Sequence, residues 1–261
     1  MSAAPDKAPD KASDKTVRDQ RLARAMVLAA GRGERMRPLT ERLPKPLIEV
    51  RGKAMLDWAL DHLAAAGIAE AVVNLYHLGA QIEAHASGRE RPRVTFSREA
   101  ELLDTGGGVA AALSSLGPEA FYVLNGDVVW LDGLQPAPLR LAQAWDEDEM
   151  DALLLVHPVI DAYGYDGPGD FVMDPAGRLR RRRELEVAPF VFAGVQVLHP
   201  RLFAQAPEGA FSLNLLYDRA IDSGRLWGLR HDGRWFHVGT PEALQDVETA
   251  LHHLSGTAVQ K

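Results

Sequence analysis

From Arg24 onward, short apolar or β-branched runs alternate with stretches of helical periodicity, which commits the chain to an α/β fold on a largely parallel sheet. Residues 25–30, 71–75, 94–97 and 121–124 read as strands. Between them, Leu56, Leu60 and Leu63 fall on one helical stripe, and Gly67 takes the place of a C-cap glycine. Residues 78–86 and 109–116 repeat the helical pattern. Ligands in such sheets gather beyond the carboxyl ends of the strands, so the segments after residues 30 and 124 are where a site is expected.

Past the acidic stretch 146–151 the pattern changes to strands with turn glycines, at 152–156, 170–173, 179–183 and 191–198, which predicts an added antiparallel or mixed part. A helix at 213–222, strands at 226–230 and 235–238, and a helix at 241–254 complete the reading. Thr240 is its expected N-cap and Pro241 its first residue. Residues 1–22 form a near-repeat of Ala-Pro-Asp-Lys that cannot bury a core and is expected to be a disordered tail. Residues 23–261 then make a single domain.

Composition narrows the function classes. No apolar run approaches the roughly 20 residues a bilayer requires, so no membrane partner is expected. The absence of cysteine removes disulfides and thiolate chemistry and fits the cytoplasm. A net charge of −7 gives no global field for nucleic acid, so any binding of phosphate must come from local clusters. The run Arg180-Arg181-Arg182-Arg183 is followed by Glu184 and Glu186 and reads as a solvated face.

One local cluster does suit polyphosphate. The segment L-A-A-G-R-G-E-R-M-R-P-L-T-E-R-L-P-K-P-L, residues 28–47, ends an apolar strand in a glycine-spaced loop and adds Arg35, Arg37 and Lys45. Gly31 and Gly33 let the backbone turn sharply and bring N–H donors to phosphate oxygens, while the cations neutralise charge. Glu34 and Arg35 after Gly33 exclude a Walker loop, and Met36 stands where a Rossmann fingerprint needs its third glycine. Pro44 and Pro46 hold Lys45 in a stiff segment.

Two further motifs lie at strand ends. Asn125-Gly126-Asp127 closes a hydrophobic strand, where a carboxylate is costly unless it binds something, and a plain turn would share the Asn-Gly pair. Beside a polyphosphate loop, Asp127 is a magnesium ligand candidate, because Mg²⁺ uses one or two carboxylates together with phosphates. Leu103-Asp104-Thr105-Gly106-Gly107-Gly108 offers bare backbone on which a flat base could rest, and a surface hinge would look alike.

The spacing of G-x-G-x-R and P-K-P resembles the signature of the sugar-1-phosphate nucleotidyltransferases, and L-A-A-G-x-G-E-R-M-R-P-L-T with P-K-P-L is most similar to the small bacterial N-acetylmuramate-1-phosphate uridylyltransferases. The resemblance implies a Rossmann-like, mostly parallel central sheet flanked by helices, with a small antiparallel layer on the sugar side. It implies transfer of a nucleotidyl group, from UTP to N-acetylmuramate 1-phosphate, with release of pyrophosphate, in cell-wall sugar recycling. Arg35, Lys45 and Asp127 would be catalytic. Ala30, Gly31, Gly33, Glu34, Glu99, Thr105, Gly106, Gly107 and Asn125 would bind nucleotide, and Asp170 and Gly194 the sugar. The expected cofactor is Mg²⁺, with Mn²⁺ as an alternative. The family's W-x-D-[VI]-G-T-P is here Trp235-Phe236-His237-Val238-Gly239-Thr240-Pro241, so His237 replaces the usual second metal ligand. His237 could act through a water, contact phosphate as a cation, favour a softer ion or be structural, and Asp232 could compensate. A mannose-1-phosphate guanylyltransferase, a phosphocholine cytidylyltransferase, or a non-catalytic sugar-nucleotide sensor would use the same scaffold.

Overall fold

The computed structural model describes residues 22–257, with side chains to residue 254. The expected tail lies outside the described residues except for Leu22, which is buried in the core.

The chain opens with β1 (Arg24–Leu28), a long loop, the small hairpin β2 (Glu49–Val50) and β3 (Lys53–Ala54), and α1 (Met55–Ala65). Then come β4 (Glu70–Leu75), α2 (Gly79–Ala86), β5 (Arg93–Arg98), α3 (Asp104–Leu116) and β6 (Phe121–Asn125). β1 pairs in parallel with β4 on one side and β6 on the other, and β5 adds beyond β4. The resulting order β5-β4-β1-β6 reverses its direction of growth between β1 and β6, and such a reversal opens a crevice at the carboxyl ends of the two strands.

After β6 follow β7 (Val129–Leu131), α4 (Ala137–Ala144), β8 (Ala152–Pro158), β9 (Phe171–Met173), β10 (Leu179–Arg181) and β11 (Phe190–Leu198). Then α5 (Leu213–Asp222), β12 (Leu226–Arg230), β13 (Arg234–Phe236) and α6 (Pro241–Thr257) complete the element order. β11 runs antiparallel to β6 and, further along the same edge, to β9, and carries β8 on its other edge, so among the described residues the antiparallel part continues the same nine-stranded sheet. β11 is buried along most of its length, as a strand covered on both faces must be. A separate ribbon pairs β7 with β13, and Trp235 and Phe236 of β13 border the crevice.

Strand alternation divides the core. Val27 and Val73 face Leu56, Leu60 and Leu63 of α1 and Ile82 of α2, while Met26 and Val72 face Val109 and Leu116 of α3 and Leu216 of α5. A third cluster joins Met36 of the first loop to Val129 of β7, Phe236 of β13, and Val247 and Leu251 of α6. It anchors the glycine-bearing loop at the crevice.

Candidate active site

The first loop is held from behind by a buried polar chain. The Ala29 N–H donates to Asn74 Oδ1 at 2.7 Å, and Asn74 Nδ2 donates to Glu99 Oε1 at 2.7 Å. Glu99 Oε2 accepts the Leu103 N–H at 3.0 Å, so one carboxylate ties the ends of β4 and β5 to the start of α3. Glu99 thereby supports the site from outside the crevice, whereas Asn74, 2% exposed, borders it. The sequence reading missed Asn74; a lone amide inside an apolar strand was the available signal.

The two loop glycines answer different needs. Gly33 has φ +62°, and a Cβ there would lie 2.9 Å from both Lys45 Cβ and Thr40 Cγ2. Its carbonyl accepts the Thr40 hydroxyl at 2.9 Å and the Met36 N–H at 2.9 Å, which winds residues Glu34–Met36 into one helical turn. Gly31 has open space around its α-carbon and borders the crevice.

At the end of β6 the Gly126 N–H donates to the Leu28 carbonyl at 2.8 Å, which pins the two strand ends together. Lys45 Nζ then donates to Asp127 Oδ2 at 2.6 Å, joining loops 82 residues apart. Lys45 is 9% exposed, so its charge acts where water screens it little.

The crevice has two compartments. The larger, about 600 Å³, is bordered by Ala30, Gly31, Gly33, Glu34, Asp104 and Thr105. The smaller, about 230 Å³, is bordered by Tyr165, Asp170, Phe192, Gly194 and His237. Arg35, Lys45, Asn125 and Asp127 belong to both. Two anions bound one in each compartment would therefore meet at two cations, an amide and one carboxylate.

Gly194 has φ +76° at the register shift between Phe192 and Gln196 in β11, and a Cβ there would strike Val128. That bulge turns the strand toward the smaller compartment. Asp170 Oδ2 accepts the Phe192 N–H at 2.9 Å, which fixes its carboxylate against β11.

His237 lies edge-on to Tyr165 at 5.8 Å between ring centroids. Burial pushes its imidazole below the ordinary value, the Lys45 and Arg35 charges push the same way, and Asp127 opposes them. His237 is accordingly neutral near pH 7. Asp232, the sequence-level substitute, pairs with Arg140 at 2.8 Å and borders neither compartment. Among the described residues no group of three or more His, Cys, Asp or Glu could hold a metal ion. A cation here would have to take oxygens from a ligand's phosphates as well as from Asp127, the mode in which Mg²⁺ usually binds.

The triple glycine is placed differently from the expectation. α3 begins at Asp104, five residues before the predicted start, so Gly106, Gly107 and Gly108 are helical and buried. Gly106 and Gly107 face the 209–211 segment, with both N–H groups on the Phe211 carbonyl at 2.8 and 3.1 Å. Their missing side chains admit that segment, and neither borders the larger compartment. Thr105 does border it, while its hydroxyl accepts the Leu213 N–H at 2.9 Å. Asp104, with φ +59°, is a further bordering residue that the sequence reading left without a role. The arginine run is a surface network, as expected: Arg180 clasps Glu186 at 2.7 and 2.8 Å, and Arg181 pairs with Asp218 at 2.7 Å.

The model of the MobA-like NTP transferase domain matches residues 25–206. N-acetylmuramate alpha-1-phosphate uridylyltransferase of Caulobacter vibrioides is 40% identical over 232 residues, covering 87% of this chain and 96% of that protein. The protein of the same name from Neisseria meningitidis serogroup B is 35% identical over 229 residues, covering 86% and 96%. Among solved structures, UDP-glucose pyrophosphorylase complexed with UDP-glucose superposes with a TM-score of 0.74 at 14% identity, over 89% of this chain and 99% of that one. HddC from Yersinia pseudotuberculosis complexed with GMP-PN gives 0.70 at 20% identity, over 88% and 99%. The two structures establish the fold, and the family match with the two sequence relatives establishes more: the chain belongs to the MobA-like NTP transferase family and is a nucleotidyltransferase.

Proposed function

We propose that the protein transfers the uridylyl group of UTP to N-acetylmuramate 1-phosphate and releases pyrophosphate, as a cytoplasmic step in cell-wall sugar recycling carried by one domain, residues 23–261. The observation that carries this reading is the junction of the two compartments at Arg35, Lys45, Asn125 and Asp127. The nucleotide occupies the larger compartment, with its phosphates along Ala30, Gly31, Gly33 and Glu34. The sugar occupies the smaller one, beside Asp170 and Gly194.

A sugar phosphate oxygen attacks the α-phosphorus in line and pyrophosphate leaves. A phosphate monoester is already a nucleophile near neutral pH, so alignment and charge neutralisation are what the protein must supply. Arg35 is assigned to the triphosphate. Lys45 is assigned to the α-phosphate and the sugar phosphate, where the two anions repel most. Asp127 is the carboxylate that would hold Mg²⁺, or Mn²⁺, together with phosphate oxygens, and such an ion supplies Lewis-acid charge neutralisation. Neutral His237 is suited to support that ion through a ring nitrogen or a water, and less suited to act as a phosphate-binding cation.

The test is pyrophosphate release by purified protein with Mg²⁺ or Mn²⁺, crossing four ribonucleoside triphosphates with a panel of acceptors. Release with UTP and N-acetylmuramate 1-phosphate is expected. Release confined to GTP with mannose 1-phosphate, or to CTP with phosphocholine, would overturn the substrate assignment. No release while UTP still binds would point to a sensor.

A further inference from the structure

The acceptor proposed above carries an acetamido group where common hexoses carry a hydroxyl, so selectivity for it requires a wall that reads an amide. An amide asks for an acceptor for its N–H and a donor for its carbonyl, and its methyl asks for apolar surface beside them.

In the smaller compartment one segment, residues 163–170, brings both polar groups. It is tied to the strands on either side. The Tyr163 N–H donates to the Trp235 carbonyl at 3.2 Å, the Tyr163 carbonyl accepts the His237 N–H at 2.8 Å, and the Asp170 N–H donates to the Phe190 carbonyl at 2.8 Å. Between these ties the chain wraps around the side chain of Tyr165. A Cβ on Gly167 would strike the phenol oxygen, so its bare α-carbon lets the turn close there. The ring stands edge-on to Trp235 at 6.2 Å and to His237 at 5.8 Å between centroids, and Tyr165 borders the compartment.

The phenol is left with a proton to give. Its oxygen accepts the Gly169 N–H at 3.2 Å, and among the described residues no group accepts from it. Burial, and after it the charge of Asp170, pushes the phenol above its ordinary value, so it stays protonated at neutral pH. Asp170 borders the same compartment as the complement: Oδ2 takes the Phe192 N–H, and Oδ1 has no donor among the described residues. Val128, Val191 and Trp235, members of the core cluster on which Tyr165 packs, border the compartment as well. A hydroxyl would use the polar pair and leave this apolar border unmatched, whereas an acetamido group uses both.

We infer that Tyr165 is a specificity-determining residue that donates to the carbonyl of the acceptor's acetamido group, whose N–H is taken by Asp170. The inference rests on the smaller compartment holding the sugar, as proposed above. Steady-state kcat/KM is measured with UTP for N-acetylmuramate 1-phosphate and for two analogues. One has acetoxy in place of acetamido, which keeps the carbonyl and methyl without the N–H, and the other has a hydroxyl. N-acetylglucosamine 1-phosphate and glucose 1-phosphate form a second pair. The wild-type protein should prefer acetamido to hydroxyl by about 10- to 100-fold, the range of two neutral hydrogen bonds. Tyr165→Phe should lower kcat/KM by about 3- to 10-fold for the acetamido and acetoxy acceptors, mainly through KM, and leave the hydroxyl acceptors within about twofold. The ratio between acceptors is the readout, because a loosened turn would lower all of them alike. Asp170→Asn, which can still accept the Phe192 N–H, should erase the preference for acetamido over acetoxy.

A ratio of acetamido to hydroxyl unaltered in Tyr165→Phe would overturn the role of Tyr165, and an intact preference over acetoxy in Asp170→Asn would overturn that of Asp170. A wild-type protein inactive with N-acetylmuramate 1-phosphate would sink the proposed reaction, and the second pair of acceptors would then decide Tyr165. Inactivity with every acceptor would sink both.

Discussion

Gly106→Ala distinguishes packing from ligand contact at the triple glycine. A Cβ on Gly106 would lie 2.5 Å from Cδ2 of the Phe211 ring and 2.8 Å from the Phe211 carbonyl oxygen. Carbon contacts are comfortable near 3.5 Å, so the 209–211 segment would have to retreat by about 1 Å, weakening the bonds from both glycine N–H groups to Phe211. Overpacking of this kind costs about 1–3 kcal/mol, and the gain of a Gly→Ala change in a helix offsets at most about 1 kcal/mol. The expected result is a net loss of about 1–2 kcal/mol, a fall of about 2–8 °C in Tm for a domain of this size. UTP affinity of the folded protein should change little. Gly31→Ala is the counterpart, because its α-carbon meets open space at the crevice: Tm should hold while UTP affinity falls. Thermal melts and calorimetric titration of both variants give the comparison. An unaltered Tm in Gly106→Ala with lost UTP binding would refute the packing account and restore the glycines to the base pocket.

Two other outcomes follow from groups away from the crevice. His231 is buried beside His157, and burial, then the His157 charge, holds its imidazole down to about 4 from the ordinary 6.5. The unfolded chain therefore binds more protons between these values, so stability is full above pH 6.5 and is lost as pH falls toward 4, by about 3 kcal/mol at most from this group. Melting temperature against pH should show that slope, and His231→Gln should flatten it; an unchanged slope would contradict the buried neutral assignment. Asp232→Asn removes only the Arg140 pair, so kcat/KM should stay within about twofold and stability should fall by no more than about 1 kcal/mol. A tenfold loss of kcat/KM, about 1.4 kcal/mol, would return Asp232 to the site.

The sheet order and the site were legible to different depths. The helix at 213–222 was read to the residue as α5, and the strand before Asn125-Gly126-Asp127 is β6, because local periodicity and turn residues determine both. Pro44-Lys45-Pro46 signalled a presented ammonium, and the structure places it 2.6 Å from Asp127. β7 was missed because its three residues are held by β13, about a hundred residues later, and nothing local announces that pairing. The start of α3 was missed because glycine disfavours helices; here close packing against Phe211 outweighs propensity. Asn74 and Glu99 could not be linked from sequence, since their bond exists only once β4 and β5 pair.

The claim that the two substrates meet at the Lys45–Asp127 pair is tested most directly by Lys45→Ala, comparing single-turnover rate with the dissociation constant for UTP. Lys45 is placed to neutralise charge that builds only as the new bond forms, so the rate should fall by about 10²- to 10³-fold. The Kd for UTP should move by less than about tenfold, because uniform binding is shared with Arg35 and the loop backbone. An unchanged rate, or a loss of UTP affinity that accounts for the whole effect, would contradict the assignment of Lys45 to the reacting phosphates.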